Sequence, residues 1–409
     1  MRGITVCRAH YRALAPRKRP RPPTADRSNF PPTGAVISTR KDIQLKLGSL
    51  ILSALALLSC AALAADIGSP SGVPEIAFDS VANFLKLPPD LHLGEPSGVA
   101  VNSKKHVFVF NRGNSTGPAY GATASQVLEF GPDGKYIREI GHNLYAWSFA
   151  HTVRVDKEDN LWAVDKGSDM VIKFNPEGRV AMVFGRKKEA SDEAGPWTRV
   201  NPPRPAVDGQ FRQPTDVTWD PAGNIFISDG YINSRVAKYD KDGHWVKSWG
   251  DRGTEEGKFN LPHSIAADAK GNIYVADREN SRIQVFDHDG NFLKVIKIDI
   301  PAPPDARVWY GNAFTPANPP QGSRRPGSPW AICITPGPGT QYLYSADSYP
   351  GRVYKLSLDG KVLGMFGSTG RQIKEFGWIH EMACPSENEI YVAEILNWRV
   401  QKLLLHPGK

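Results

Sequence analysis

Histidine recurs at one fixed position of a repeated sequence pattern. One copy of the pattern begins at Pro262 and reads PHSIAADAKGNIYVADRENSRIQVFDHDGNF, and six copies in all can be aligned. The second residue of the opening β-run falls in one register, which holds Ser97, His151, Thr215, His263, Trp330 and His380. If the six copies close into a ring, the three histidines lie about 120° apart and face its axis. Three neutral imidazoles leave the fourth position of a tetrahedral zinc ion open for water or a substrate oxygen.

Acidic and basic residues recur after the second β-run of each copy. Five copies end that run in an acid, and four carry an arginine shortly afterwards: Asp165, Asp229, Asp277, Asp347 and Glu394, with Arg235, Arg282, Arg352 and Arg399. Recurrence in most copies favours a structural role, in which the acid binds the arginine or the backbone and fixes the turn. Three residues that follow the same run break the recurrence and are therefore our candidates for chemistry: Arg112, Tyr231 and Arg278.

The elements that must position these residues are short β-runs. The runs are rich in Val, Ile, Phe and Tyr and are separated by Gly, Asp, Asn and Pro, which is typical of antiparallel strands joined by tight turns. We predict an all-β fold for residues 66–409, a single six-bladed β-propeller with four antiparallel strands per blade. The last copy ends early, near Leu405, so we expect an N-terminal strand around Ile76 to complete the last blade. Long insertions rich in Pro and Gly, at 187–209 and 301–328, are expected to rim the face on which the histidines open.

The positive charge of the chain is concentrated in its first 65 residues. Eleven Lys and Arg against two acids give this segment a net charge of +9, so the remaining chain carries about −1 of the total of +8. A nearly neutral body argues against a nucleic-acid partner. The apolar stretch from Leu47 to Ala65 follows basic residues and ends in small ones, the order of an export signal that is removed. We expect an exported protein, periplasmic or secreted, without a membrane span after removal of residues 1–65.

Two features of this leader leave alternatives open. Cleavage before Ala65 gives a soluble product, whereas the sequence that ends in Cys60 resembles a lipid-attachment site. The 1–65 segment is long for a signal peptide, so the true start of translation can lie further downstream.

Beyond the leader, Cys333 and Cys384 each follow the start of a repeat, on what we expect to be adjacent inner strands. An exported protein can oxidise such a pair, so either a disulfide or two buried thiols fits the sequence.

The repeats resemble a known family. Their pattern is similar to NHL repeats, and the strings QPTDVTWDPAGNIFISDGYINSR, GKFNLPHSIA and VADRENSRIQVF resemble the catalytic core of peptidyl-α-hydroxyglycine α-amidating lyase, from about Val73 onward. That enzyme is a six-bladed propeller that cleaves a peptidyl-α-hydroxyglycine into a peptide amide and glyoxylate. The resemblance implies zinc bound by His151, His263 and His380. It also implies functional roles for Tyr231 as base, Arg112 as its electrostatic partner and Arg278 as substrate anchor.

The resemblance further implies a structural calcium, and here the chain departs from the family. The calcium positions correspond to backbone carbonyls of Val99 and Val153 and to the acid after the third histidine, which is Glu381 where the family has aspartate. Calcium accepts either carboxylate, but the reach differs. Gly377-Trp378-Ile379 replaces the family's Met-Pro before the third histidine. The family's paired cysteines in copies three and four are absent.

These observations predict a monomeric, zinc-dependent carbon–nitrogen lyase. Its substrate is a small-molecule or peptide-like N-acyl-α-hydroxyglycine, which it cleaves to an amide and glyoxylate. Two other classes of function remain open. One is a non-catalytic NHL propeller that binds a protein or a component of the cell envelope. The other is a metal-dependent propeller hydrolase, such as a lactonase, although such enzymes usually hold calcium with Asp, Asn and Glu rather than with three histidines.

Overall fold

The computed structural model describes residues 72–113, 125–188, 201–202 and 204–406. The predicted leader, 1–65, and the alternative lipid-attachment site at Cys60 lie outside the described residues. In the described ranges, no helix is both long and apolar enough to cross a membrane. Export, the site of cleavage and the boundary at residue 66 stay predictions.

The chain forms β-strands almost throughout the described ranges. In chain order they are β1 (Ala77–Val81), β2 (Glu95–Val101), β3 (Val107–Arg112), β4 (Ser125–Phe130), β5 (Tyr136–Ile140), β6 (Ala150–Val155), β7 (Leu161–Asp165), β8 (Met170–Phe174), β9 (Val180–Gly185), β10 (Asp216–Trp219), β11 (Ile225–Asp229), β12 (Arg235–Tyr239), β13 (Trp245–Trp249), β14 (Pro262–Ala267), β15 (Ile273–Asp277), β16 (Arg282–Phe286), β17 (Phe292–Ile296), β18 (Ala331–Ile334), β19 (Tyr342–Ala346), β20 (Val353–Ser357), β21 (Val362–Phe366), β22 (Ser368–Thr369), β23 (Glu375–Phe376), β24 (Ile379–Ser386), β25 (Glu389–Glu394) and β26 (Arg399–His406). Two 3₁₀ turns, Arg278–Asn280 and Gly322–Arg324, are the helical elements of this part of the chain.

Twenty-four of these strands form six antiparallel four-stranded sheets, the blades of a propeller, and β22 and β23 form a separate parallel pair. Blades one to five are β2–β5, β6–β9, β10–β13, β14–β17 and β18–β21, each in sequence order. Blade six has the order β1-β26-β25-β24, so the N-terminal strand β1 supplies its outer edge, with Ala77 opposite His406. The innermost strands, β2, β6, β10, β14, β18 and β24, contact one another in that order, and β24 returns to β2. The predicted six-bladed all-β fold is therefore confirmed.

The core lies between neighbouring blades, because each sheet buries both of its faces. Strand residues such as those of β7, β11 and β15 are buried along their whole length. Large aromatic side chains fill the space between blades one and two, where Trp147 packs against Phe110 and Phe174 with ring centroids 5.0 and 6.0 Å apart. A strand that is buried on both faces is apolar along its length, whereas a strand with one face in water alternates apolar and polar residues. The ring is thus a rigid frame around its axis.

Blades five and six are also joined covalently. Cys333 on β18 and Cys384 on β24 form a disulfide, with Cα atoms 6.1 Å apart. The structure places the bond between two adjacent inner strands, one of the two arrangements that the sequence left open. It closes a loop of 51 residues.

Candidate metal centre

The three register histidines lie at bulges of the innermost strands. In β6, β14 and β24 the pairing with the next strand skips one residue, and the skipped residue is His151, His263 or His380. A bulged residue leaves the ladder, so its side chain can be aimed away from the pleat. All three imidazoles are buried, at no more than 4% exposure. The predicted register therefore brings the three histidines together on the axis of the ring.

The three intervening blades orient these imidazoles through backbone carbonyls. The Nδ1 atom of His151 lies 2.6 Å from the Thr215 carbonyl oxygen, and Nδ1 of His263 lies 2.7 Å from that of Trp330. Nδ1 of His380 makes the same contact, 2.7 Å, with the carbonyl of Ser97. Because a carbonyl only accepts, each Nδ1 must carry the proton and each Nε2 keeps its lone pair. Histidines held in this way have the tautomer and orientation that a metal ligand requires.

The three imidazoles are close enough to share one ion. Their ring centroids are 4.6 Å (His151 to His380), 4.8 Å (His151 to His263) and 4.9 Å (His263 to His380) apart. One nitrogen of each lies within 4.8 Å of the others. Burial lowers the pKa of all three well below 6.5, and the neighbouring positive charges lower it further. The neutral, metal-binding form is thus the stable one at neutral pH.

Tyr231 faces this cluster directly. Its hydroxyl oxygen lies 3.3 Å from Nε2 of His151 and 3.3 Å from Nε2 of His263. The preceding residue, Gly230, makes the approach possible, since a Cβ there would collide with the carbonyl oxygen of Pro262 in the next blade. The tyrosine backbone N–H donates to the Gln213 carbonyl at 3.3 Å and so fixes the loop. The predicted base is therefore beside the open edge of the imidazoles.

The two predicted arginines lie near the tyrosine, and both side chains are buried, at 9% (Arg112) and 8% (Arg278) exposure. The Arg278 guanidinium carbon is 5.9 Å from the centre of the Tyr231 ring and stacks at 4.1 Å on Trp330. Arg112 reaches the backbone of the first histidine's strand, because its Nε donates to the Ala150 carbonyl at 2.8 Å. It also pairs with Glu95 at 2.8 Å. Both are therefore near the site, and Arg278 is the one that reaches Tyr231 in the structure.

Lys166 is a site residue that the sequence reasoning missed. Its ammonium nitrogen lies 3.6 Å from the centre of the Tyr231 ring. Burial raises the pKa of Tyr231, but the charges of Lys166, Arg278 and Arg112 together bring it below 10. A signal was available, because Lys166 directly follows Asp165 just as Arg278 follows Asp277. Lys166 breaks the recurrence in the same way as Arg278 does.

The recurrent acids hold the segment that leads into each innermost strand. Asp229 accepts the backbone N–H of Arg212 at 2.9 Å, and Asp277 accepts that of Asn260 at 2.7 Å. Glu394 does the same with the N–H of Gly377 at 2.8 Å. Each acid therefore ties the loop after the second strand to the residues just before the register position. This confirms the structural role predicted from their recurrence.

Trp378 fits the repeat without disturbing the third histidine. It has a φ of 56°, and Leu261 occupies the equivalent place before His263 with a φ of 69°. The carbonyls of both residues accept a backbone N–H from the following loop. The Trp378 ring packs on Trp330 with centroids 5.1 Å apart, and the Trp330 ring lies 5.5 Å from that of His263. The replacement that separates this chain from the family pattern therefore adds an aromatic wall beside the histidines.

The residues predicted to hold calcium lie one step further along the axis. Val99 and Val153 are buried on β2 and β6, and the Val153 N–H donates to Oε2 of Glu381 at 3.1 Å. The other carboxylate oxygen of Glu381 lies 2.8 Å from Nε of Arg154. The carboxylate is therefore already paired with a cation of the chain itself.

Comparisons with known proteins agree with this architecture. A family model of the NHL repeat matches residues 259–286, which lie mostly in blade four. The chain is 27% identical over 337 residues to peptidyl-glycine alpha-amidating monooxygenase B of Xenopus laevis, covering 75% of this chain and 33% of that protein. It is 25% identical over 347 residues to peptidyl-alpha-hydroxyglycine alpha-amidating lyase 1 of Drosophila melanogaster, covering 77% of this chain and 58% of that protein.

Two further proteins are similar to the chain. A probable peptidyl-alpha-hydroxyglycine alpha-amidating lyase of Caenorhabditis elegans is 29% identical over 166 residues, with 37% of this chain and 43% of that protein covered. Among solved structures, a streptogramin B lyase superposes with a TM-score of 0.47 at 12% identity, covering 81% of this chain and 98% of that one. The chain spans less than two thirds of the length of each of these three curated relatives.

Proposed function

We propose that the protein is a metal-dependent carbon–nitrogen lyase that cleaves an N-acyl-α-hydroxyglycine into an amide and glyoxylate. One observation carries the proposal: a tyrosine hydroxyl lies 3.3 Å from Nε2 of two members of a buried three-histidine cluster. The names of the relatives, which include amidating lyases, support the same reaction class.

The metal we propose is zinc, held by His151, His263 and His380. Three neutral nitrogen donors with one open position are the usual ligand set of catalytic zinc. The carbonyl bonds at the three Nδ1 atoms support this choice, because they hold each Nε2 free to bind. When bound, the ion supplies Lewis acidity toward a substrate oxygen.

The chain's own residues account for the proton movements. The hydroxyl group of the substrate must lose its proton as the C–O bond becomes the aldehyde of glyoxylate, and the departing amide nitrogen must gain one. Tyr231 is placed to accept the first proton and to return it to the nitrogen as the C–N bond breaks, so the reaction is balanced without a co-reactant. The surrounding cations lower the pKa of this phenol, which favours its role as base.

The same cations would hold the substrate's carboxylate. Arg278 lies beside Tyr231 and stacks on Trp330. Its Nη2 donates to Glu279 at 3.2 Å, and its Nε is buried without a hydrogen-bond partner among the described residues, so this donor can serve a substrate. A guanidinium binds a carboxylate through two parallel hydrogen bonds. Arg112 and Lys166 add positive charge near the phenol. We propose Arg278 as the anchor, with Arg112 as the electrostatic partner of the base.

The test combines metal content with product release. N-benzoyl-α-hydroxyglycine is offered to the wild type, His263→Ala and Tyr231→Phe, and glyoxylate and bound metal are measured. We expect zinc and glyoxylate from the wild type, loss of both in His263→Ala, and retained zinc with a loss of about 100-fold or more in rate for Tyr231→Phe. His244→Ala, an exposed histidine, and Tyr136→Phe, on an outer strand, are the matched controls.

The outcomes separate this proposal from the two other classes. A wild type that holds zinc but releases no glyoxylate from any N-acyl-α-hydroxyglycine would refute the reaction and keep the site. Calcium as the bound ion, without zinc, would favour a propeller hydrolase. A protein that binds neither ion would favour a non-catalytic binding module.

A further inference from the structure

We propose that the guanidinium of Arg154 takes the place of the axial calcium that the family resemblance implies. The ring would then be held at its centre by an internal cation, and the protein would fold without calcium. This inference concerns the axis of the propeller and does not depend on the proposed reaction.

Arg154 is bound by two carboxylates from other blades. It lies on β6, three residues after His151, and its Nη2 and Nε atoms are 2.6 and 2.9 Å from the two oxygens of Asp216 on β10. Its Nε is also 2.8 Å from Oε1 of Glu381 on β24. The side chains of Asp216 and Glu381 are exposed by only 1% and 2%. One cation thus joins two acids that are both shielded from water.

The remaining donors of the guanidinium reach two more blades. Nη1 donates to the Met382 carbonyl at 3.1 Å, in the same strand as Glu381. Nη2 contacts the Ser264 hydroxyl on β14 and the Ile332 carbonyl on β18, each at 3.3 Å. With its own strand, Arg154 therefore links the innermost strands of blades two to six. Calcium prefers oxygen ligands such as carboxylates and carbonyls. Here one carboxylate, two carbonyls and a hydroxyl accept hydrogen bonds from one side chain, and the second carboxylate, that of Glu381, adds an ion pair.

Both carboxylate oxygens of Glu381 face groups of the chain itself. Its Oε2 accepts the Val153 N–H at 3.1 Å. Its Oε1 lies 2.8 Å from Nε of Arg154 as an ion pair without a hydrogen bond, because that N–H is directed at Asp216. Gly98 packs against the same carboxylate, because a Cβ at this position would be 2.9 Å from Oε2. A calcium ion bound to Glu381 would also lie next to the Arg154 guanidinium, and two neighbouring cations repel each other strongly in a buried site. The longer glutamate therefore fits pairing with Arg154 better than calcium binding.

Calcium binding by the wild-type protein is the direct test of this inference. It is freed of all divalent ions by a chelating resin, and thermal unfolding is followed without additions, with CaCl2 and with ZnCl2. We expect calcium to leave Tm within the scatter of replicate curves and the equilibrated protein to retain no calcium. Retention of one calcium per chain, or a rise in Tm of several degrees with calcium, would overturn the inference. Any response to zinc reports on the histidines and bears only on the proposed function.

Replacement of the arginine gives a second, independent test. Arg154→Met keeps much of the apolar stem and leaves Asp216 and Glu381 buried without their cation, so Tm should fall by about 4 °C or more. Arg138→Met is the control, because Arg138 also contacts a carboxylate and two carbonyls but is 38% exposed. Equal losses in the two variants would contradict a special axial role. If Arg154→Met does not fold, the calcium measurements on the wild type still decide.

Discussion

The pair formed by Asp229 and Arg235 offers a quantitative test of how the loops of the site are held. Arg235 is 2% exposed, and its Nε lies 3.1 Å from Asp229, while its Nη2 donates to the carbonyls of Val207 and Gln210 at 2.9 and 2.7 Å. Asp229 is fully buried and precedes Tyr231 by two residues. We predict that Arg235→Met destabilises the protein strongly, because it leaves a buried carboxylate without its cation.

The expected loss follows from the burial of both partners. Removal of one member of a buried ion pair costs about 3–5 kcal/mol. With an unfolding entropy of roughly 2.1 cal/mol/K per residue, a propeller of about 340 residues loses about 4–7 °C in Tm. Blade five provides the control, since the Asp347 carboxylate is bound by three backbone N–H groups and the Tyr354 hydroxyl. The side chain of Arg352 donates to the Pro301 carbonyl instead. Arg352→Met should therefore lose about 1 kcal/mol, or about 1–2 °C.

The same variant should have a characteristic pH dependence. Burial already raises the pKa of Asp229 above 3.8, and the charge of Arg235 is the largest influence that opposes it. Without the arginine the folded pKa rises further, so the folded protein binds this proton more tightly than the unfolded chain does. The loss of stability of Arg235→Met relative to the wild type is then smallest at acid pH. It grows as the pH rises through the pKa that Asp229 has in the folded variant. Thermal unfolding of both variants at pH 5 and pH 8 provides the measurement. A fall in Tm that equals that of the control Arg352→Met and does not change with pH would refute the stabilising role assigned to the Asp229–Arg235 pair.

Four other predictions follow from the site and the frame. Lys166→Met should leave the metal content unchanged and lower kcat, because the ammonium group lies 3.6 Å from the ring of Tyr231, the proposed base. Metal analysis and steady-state kinetics check this. Trp378→Ala should also keep the metal, and should raise KM for substrates with an aromatic acyl group. Peptide mapping without reductant should recover Cys333 and Cys384 as one linked species, and two separate peptides would contradict the bond. N-terminal sequencing of the native protein should begin near Ala65 if the predicted export signal is removed, whereas a lipid-modified Cys60 would show the alternative cleavage.

The fold could be predicted because the repeat supplies the same signal six times. Each copy alone is a set of short β-runs, but alignment of the copies identifies the innermost strand and its register residue. The convergence of His151, His263 and His380 follows from that register, since equivalent positions of a closed ring face one axis. The structural role of the recurrent acids was accessible for the same reason. The six-bladed fold and the three candidate metal ligands could therefore be predicted from the sequence.

What the sequence did not show are contacts that depend on distance between blades. Every residue has a backbone carbonyl, so residue type does not reveal which carbonyl binds an imidazole. The sequence therefore does not identify Thr215 and Ser97 as the residues that orient His151 and His380. Arg154 looks like an ordinary strand arginine, and its partner Asp216 is 62 residues away. The pairing of Cys333 with Cys384 likewise depends on the separation of two strands, which residue spacing alone does not determine.

The arrangement also explains how a ring of six similar blades can hold a site of threefold character. In alternate blades the register residue is a histidine, and in the others it presents its carbonyl to a neighbouring imidazole. The bulge does not distinguish the two sets, because the pairing of β2 skips Ser97 in the same way. The second set acts through the backbone, so its side chains are free to differ, and Ser97, Thr215 and Trp330 have little in common. Trp330 uses this freedom to form the aromatic wall with Trp378. The pocket can therefore change in the orienting blades without disturbing the three histidines.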